Sequence, residues 1–172
     1  DFGRFRSVVD VGGGLGHVLA RILLAHPGLA GTLYDVSAVA EAAASFLADL
    51  GLSQRAEIID GDFFDDVPEG HDAYFLKSVI HDWTDEEAAR ILGNCRRVMA
   101  VGGRVLIAEQ VPATTRDLYP DRFIDLEMMV LTGGIERSLE QFEAVLASSG
   151  LALVACHSIP DSPYKILEAA PA

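Results

Sequence analysis

A cluster of glycines, Gly12, Gly13, Gly14 and Gly16, follows directly on the β-branched apolar run at residues 6–11 (RSVVDV), and no other feature constrains the fold as much. A strand that ends in glycines lets a backbone approach closely and aims the next helix N-terminus at whatever sits above the strand end. That helix is visible in the pattern. Val18, Leu19, Ile22 and Leu23 recur at helical spacing between His17 and His26, and Pro27-Gly28 stops them.

The same unit then repeats. Residues 31–34 read as a second strand ending at Asp35, residues 36–50 as an alanine-rich helix stopped by Gly51, and residues 56–59 as a third strand before Asp60-Gly61-Asp62. Residues 73–76 form a fourth strand, followed by a loop through Lys77, His81, Asp82 and Trp83. Thr84 with Asp85, Glu86 and Glu87 predicts a capped helix running to Met99. A fifth strand at residues 104–108 follows; Ser138 with Gln141 caps a further helix ending near Gly150. Residues 151–156 and 164–169 pair as a terminal antiparallel hairpin, and residues 112–137 break the alternation as an insertion carrying one helix over 121–131. Five strand–helix repeats predict an α/β fold in one domain of residues 1–172: a Rossmann-like, mostly parallel seven-stranded sheet, helices on both faces, with the hairpin at one edge.

Charge narrows the function. The net charge is −13, spread along the chain, and such a field repels phosphate backbones and anionic lipid. Nucleic-acid and membrane partners are therefore not expected, and no apolar run reaches the ~18 residues of a span. Cys95 and Cys156 sit singly in apolar-rich segments without metal-ligand spacing, which predicts two buried free thiols in a cytoplasmic protein. A first core segment so close to Asp1 is what a fragment or excised domain would show.

The glycine loop decides between cofactors. The dinucleotide pattern G-x-G-x-x-G/A fails in every register: from Gly12 and Gly14 it ends on His17, and from Gly14 and Gly16 on Leu19. The pattern that fits is acid-x-G-x-G-x-G, with Asp10 before Gly12, Gly14 and Gly16. An acid there suits an ammonium group better than a pyrophosphate. Asp35, ending the second strand, is placed to accept from a ribose diol, and Asp62 with Phe63 to bind and stack on an adenine. Ribose, adenine and a cationic amino-acid end together describe S-adenosylmethionine.

The stretches VVDVGGGLG, LYDVSAV, GDFFDDVP, FLKSVIHDWTDEEA, GGRVLIAEQVP and GGIERSLEQFEAVLASSG resemble, in order, the small-molecule O-methyltransferases of caffeate and polyketide type. The resemblance implies a class I methyltransferase fold that takes a small phenolic or polyketide-like aromatic acceptor without a metal ion. It implies cofactor contacts at Gly12, Gly14, Asp35, Asp62, Phe63 and Lys77, with Asp82 and Trp83 beside them. His81 matches the family's general base, and Glu109 and Glu136 match the acids that hold it. Met128 and Met129, on the insertion helix, fall in the region that lines the acceptor pocket. Relatives also carry an N-terminal helical domain for dimerisation and pocket closure. This chain is expected to lack it, so that a homodimer or a partner chain supplies that part; the mean hydropathy of +0.26 fits apolar surface left to cover.

The chemistry asks for these residue types. A phenol of pKa about 10 is mostly protonated at neutral pH, so a base near 7 helps by roughly 10²–10⁴-fold. A carboxylate on the far ring nitrogen would fix the histidine tautomer and stabilise the imidazolium. The competing readings are a relative that binds the cofactor but hydroxylates or decarboxylates, and a truncated, non-catalytic cofactor-binding module. His17, His26, His71 and His157 have no comparable setting.

Overall fold

The computed structural model describes residues 1–111 and 135–172. They form one seven-stranded sheet, built from β1 (Ser7–Val11), β2 (Ala30–Asp35), β3 (Ala56–Asp60), β4 (Ala73–Lys77), β5 (Arg104–Gln110), β6 (Leu151–Ser158) and β7 (Tyr164–Pro171). The order is β3-β2-β1-β4-β5-β7-β6. Strands β1 to β5 pair in parallel, and β7 runs antiparallel between β5 and β6. The chain leaves β1 towards one edge and returns on its other side at β4, so the order reverses between those two strands. Open α/β sheets bind ligands in the crevice above such a switch point.

Each buried strand feeds two cores, because successive side chains point to opposite faces. Along β4, Ala73 and Phe75 join the core under α1 (His17–Ala25) and α2 (Ser37–Asp49), together with Leu19, Leu33 and Leu47. Tyr74 and Leu76 join the opposite core under α3 (Asp85–Val98) and α4 (Leu139–Ser148), with Ile91, Leu92 and Phe142. Burial on both faces is why these strands read as continuous apolar runs.

Both expected capping boxes form. Thr84 Oγ1 accepts from Glu87 N while Glu87 Oε2 accepts from Thr84 N, and Ser138 and Gln141 repeat the exchange on α4. The start of α1 differs: its N-cap is Gly16, in the left-handed region at φ +79°, with no side-chain cap. One N–H of its first turn, that of Leu19, is taken by the buried Asp10 carboxylate beneath the loop. Element ends differ from the sequence expectation by a residue or two, and a 3₁₀ turn at Ile80–Asp82 was not foreseen. The expected helix over residues 121–131 lies outside the described residues.

The expectation for Cys156 is corrected. Cys95 is buried, its thiol pushed up to about 12 by burial, but Cys156 is exposed. The reason is position: β6 is an edge strand with little cover, and only its first residue, Leu151, is buried. No helix among the described residues is long and apolar enough to cross a membrane.

Candidate active site

The loop after β1 and the segment after β4 meet at Gly12, where a Cβ would stand 2.9 Å from Val79 Cγ2. Gly12 has φ +67° and Gly14 φ +59°, a region that glycine enters without a side-chain penalty. Beneath the loop lies Asp10, 2% exposed, so close that a Cβ on Gly13 would stand 2.7 Å from Asp10 Oδ2. That oxygen is buried and has no hydrogen-bond partner among the described residues. Burial, helped by the negative charge of Asp35, pushes the Asp10 carboxyl up to about 7. Asp35 ties the loop to α2: Oδ2 accepts from Gly14 N and Oδ1 from Val36 N, each at 2.8 Å. Among the described residues, no heavy atom would stand within 4 Å of a Cβ on Gly14 apart from its own chain neighbours.

Asp62 and Phe63 follow β3. Asp62 Oδ1 accepts from Phe64 N at 2.8 Å, and Asn94 Nδ2 donates to the carbonyls of Phe63 and Phe64. Phe63, Phe64 and Trp83 pack edge to face, with Phe64 and Trp83 centroids 4.7 Å apart. Sequence alone gave no sign that Phe63 and Trp83 touch. Lys77, exposed at the end of β4, leans over the Tyr164 ring at 5.0 Å.

His81 sits on the 3₁₀ turn beyond β4. The turn begins at Ser78, a non-glycine at φ +54°, whose Oγ lies 3.0 Å from the Tyr164 hydroxyl. The backbone N–H groups of Val79, Ile80 and His81 then converge on Glu109 Oε1 at 3.0, 2.9 and 3.3 Å. Glu109 is 1% exposed at the end of β5. Its other oxygen, Oε2, has no aligned donor among the described residues but lies 3.3 Å from His81 Nδ1. Glu136 Oε1 is 3.4 Å from the same Nδ1, and Asp82 Oδ1 is 3.4 Å from Nε2.

Two carboxylates at Nδ1 against one at Nε2 favour Nδ1 as the protonated nitrogen of the neutral ring, because a carboxylate only accepts. Hydrogen bonding to Glu136 outweighs burial and, with the charges of Glu109 and Asp82, raises the His81 pKa above its ordinary value. Burial raises that of Glu109, although the charge of His81 and the backbone N–H groups of His81 and Val79 oppose the shift. The expected trio of His81, Glu109 and Glu136 therefore lies together at the crevice, with Asp82 as a third acid. His17 and His157 lie elsewhere, on Phe46 and beside Glu168. Among the described residues no group of three or more His, Cys, Asp or Glu could hold a metal ion. Met128 and Met129 lie outside the described residues.

Arg137 was missed. It is 1% exposed and donates to the carbonyls of Ile80 and Trp83 and to Asp85. The one available signal was a charge next to Glu136 in GGIERS; nothing in the spacing said that it points inward.

The sequence pattern of an O-methyltransferase domain matches residues 1–152. A mitomycin biosynthesis 6-O-methyltransferase of Streptomyces lavendulae is 40% identical, over 98% of this chain and 48% of its own length. Aclacinomycin 10-hydroxylase RdmB of Streptomyces purpurascens is 38% identical over 89% of this chain and 41% of its own. Among solved structures, an O-methyltransferase from neocarzinostatin biosynthesis, in complex with S-adenosylmethionine and 2-hydroxy-5-methyl naphthoic acid, superposes with a TM-score of 0.91. It is 40% identical, covering 100% of this chain and 50% of that one. The chain thus spans about half the length of the relatives it matches.

Proposed function

The chain belongs to the O-methyltransferase domain family, and from that premise we propose that it binds S-adenosylmethionine and methylates an aromatic hydroxyl, with His81 as the base. The observation that carries this reading is the ring of His81 at a switch-point crevice, its Nδ1 held against two buried carboxylates.

The cradle fits the cofactor. Open space above Gly14 admits close approach to the backbone. Each Asp35 oxygen accepts one N–H and keeps a lone pair for a ribose hydroxyl. Asp62 and Phe63 offer an acceptor and a ring face for an adenine, with Trp83 buttressing Phe63. Asp10 supports the loop from beneath, since its buried carboxylate faces Gly13. Lys77 and Asp82 complete the rim. When bound, the cofactor supplies a methyl carbon on a positively charged sulfur.

The protein's part is positioning and proton transfer. With Nδ1 protonated, Nε2 carries the lone pair and takes the proton of the acceptor hydroxyl. The new imidazolium is then stabilised on both sides, by Glu109 and Glu136 at Nδ1 and by Asp82 at Nε2. Leu15 and Ile135, exposed apolar side chains on the glycine loop and beside Glu136, suit an aromatic acceptor or a covering chain. We take a dimer partner or second chain to cover the same apolar side chains.

The hydroxylase relative motivates one competing reading, in which the same cradle serves oxygen insertion. Calorimetry with S-adenosylmethionine, with NAD as the control, tests the cradle. Mass spectrometry of a hydroxynaphthoate product distinguishes a gained methyl from a gained oxygen. Binding of NAD without S-adenosylmethionine, or a product carrying oxygen alone, would sink the reading.

A further inference from the structure

Arg137 heads the fully buried side chains by volume, and its guanidinium cannot shed its charge. Such a group is tolerated inside a protein only when its N–H donors find acceptors. Here they do. Nε donates to Asp85 Oδ1 at 2.8 Å, Nη1 to Ile80 O at 2.8 Å and Ile135 O at 3.4 Å, and Nη2 to Trp83 O at 2.6 Å, with Asp85 Oδ1 a further 2.8 Å contact.

The identity of the acceptors matters more than their number. Ile80 and Trp83 bracket His81 on the 3₁₀ turn, and Asp85 opens α3 directly behind it. One planar group thus fixes the spacing of two carbonyls on either side of the histidine. An apolar plug of similar volume would fill the space without that constraint, and replacements of this kind are often neutral or stabilising.

Residues 135–137 hold the histidine at three levels. Ile135 N donates to His81 O at 2.8 Å, Glu136 Oε1 faces His81 Nδ1 at 3.4 Å, and Arg137 takes the carbonyls before and after. From the other end, Glu109 takes the N–H groups of the same turn. The turn is gripped by an anion at its amides and a cation at its carbonyls.

We propose that Arg137 is a positioning residue for His81: its fork sets the turn that keeps Nδ1 on Glu109 and Glu136. The significance of this rests on His81 acting as the base, but the geometry and its test do not. Arg137→Lys keeps the charge and loses the planar fork, so it cannot span Ile80 O, Trp83 O and Asp85 together. Asp85→Ala, at an exposed carboxylate, removes an acidic partner 2.8 Å from the buried cation, which loosens the guanidinium on the carbonyls.

The test is a pH titration of the His81 ring by NMR in the full chain without cofactor, the signal assigned by its loss in His81→Gln. In Arg137→Lys the His81 pKa should fall by at least ~0.5 towards the ordinary value of about 6.5. Asp85→Ala should move it the same way by less. Should Arg137→Lys fail to fold, Asp85→Ala decides alone. A wild-type His81 titration in the folded variants would overturn the proposal and leave Arg137 a packing group. Absence of methyl transfer would count against the functional reading and leave this one standing.

Discussion

Glu109 holds His81 at two points, accepting from its backbone N–H through Oε1 and facing its ring Nδ1 through Oε2, each at 3.3 Å. Main chain and ring of one residue are thus referred to a single buried carboxylate. Glu136 Oε1 meets the same Nδ1 at 3.4 Å, so the two acids share the ring while Glu109 also carries the amides of the turn, and their duties differ.

Exchanging each acid for its amide should separate those duties. Glu109→Gln keeps the shape but turns three charge-assisted backbone bonds into neutral ones, and should cost about 1–2 kcal/mol in urea denaturation. Glu136→Gln should lower the His81 pKa and cost less stability, because the three backbone bonds are made to Glu109. Equal stability losses in the two variants would contradict the division.

The His81 pKa is raised in the folded state, chiefly by Glu136. Its contribution to stability is therefore full below the unfolded value of about 6.5 and is lost as pH rises through the folded pKa. Turnover by a neutral base moves oppositely, rising through that same pKa. Stability and rate measured across this window should diverge in the wild type, and His81→Gln should abolish the histidine limb of each. A rate that falls as His81 deprotonates would exclude it as the base.

Burial raises the Asp10 carboxyl from its ordinary value of 3.8 to about 7. Below the lower value both states are protonated. As pH rises towards 7, the unfolded chain ionises first and the folded state loses ground. Asp10→Asn, isosteric and uncharged, should be more stable than wild type at pH 8 and no more stable at pH 4, by urea denaturation. A destabilised Asn variant at pH 8 would mean that the ionised carboxylate itself is needed.

Two neighbouring glycines should respond differently. Gly13→Ala places its methyl 2.7 Å from Asp10 and Leu33 atoms, an overpacking that costs about 1–3 kcal/mol of stability. Gly14→Ala meets only the strain of positive φ, about 1 kcal/mol, but puts a methyl where the loop is open. It should therefore weaken S-adenosylmethionine binding more than it weakens the fold, a difference that calorimetry and denaturation resolve together.

Much of this was legible in the chain because it is written locally. The VVDV strand before its glycines, the Thr84 and Ser138 boxes and the apolar runs of β4 and β5 each fix a unit whose neighbours follow from right-handed crossover rules. Histidine and acids at strand ends could be placed on one face for the same reason. What stayed hidden is set by tertiary contact. Cys156 is exposed because β6 happens to be the edge; the inward turn of Arg137 depends on carbonyls more than 50 residues away in sequence. The three amides on Glu109 likewise need the left-handed turn at Ser78, which no residue type announces.

The most direct test of His81 as the base is single-turnover methyl transfer from isotopically labelled S-adenosylmethionine to a hydroxynaphthoate, in the wild-type chain and in His81→Gln, with cofactor affinity measured calorimetrically in both. A base at His81 predicts labelled methyl on the oxygen, a rate at least ~10²-fold lower in the variant, and an unchanged cofactor Kd. Transfer by His81→Gln at the wild-type rate would contradict it and leave positioning alone as the source of catalysis.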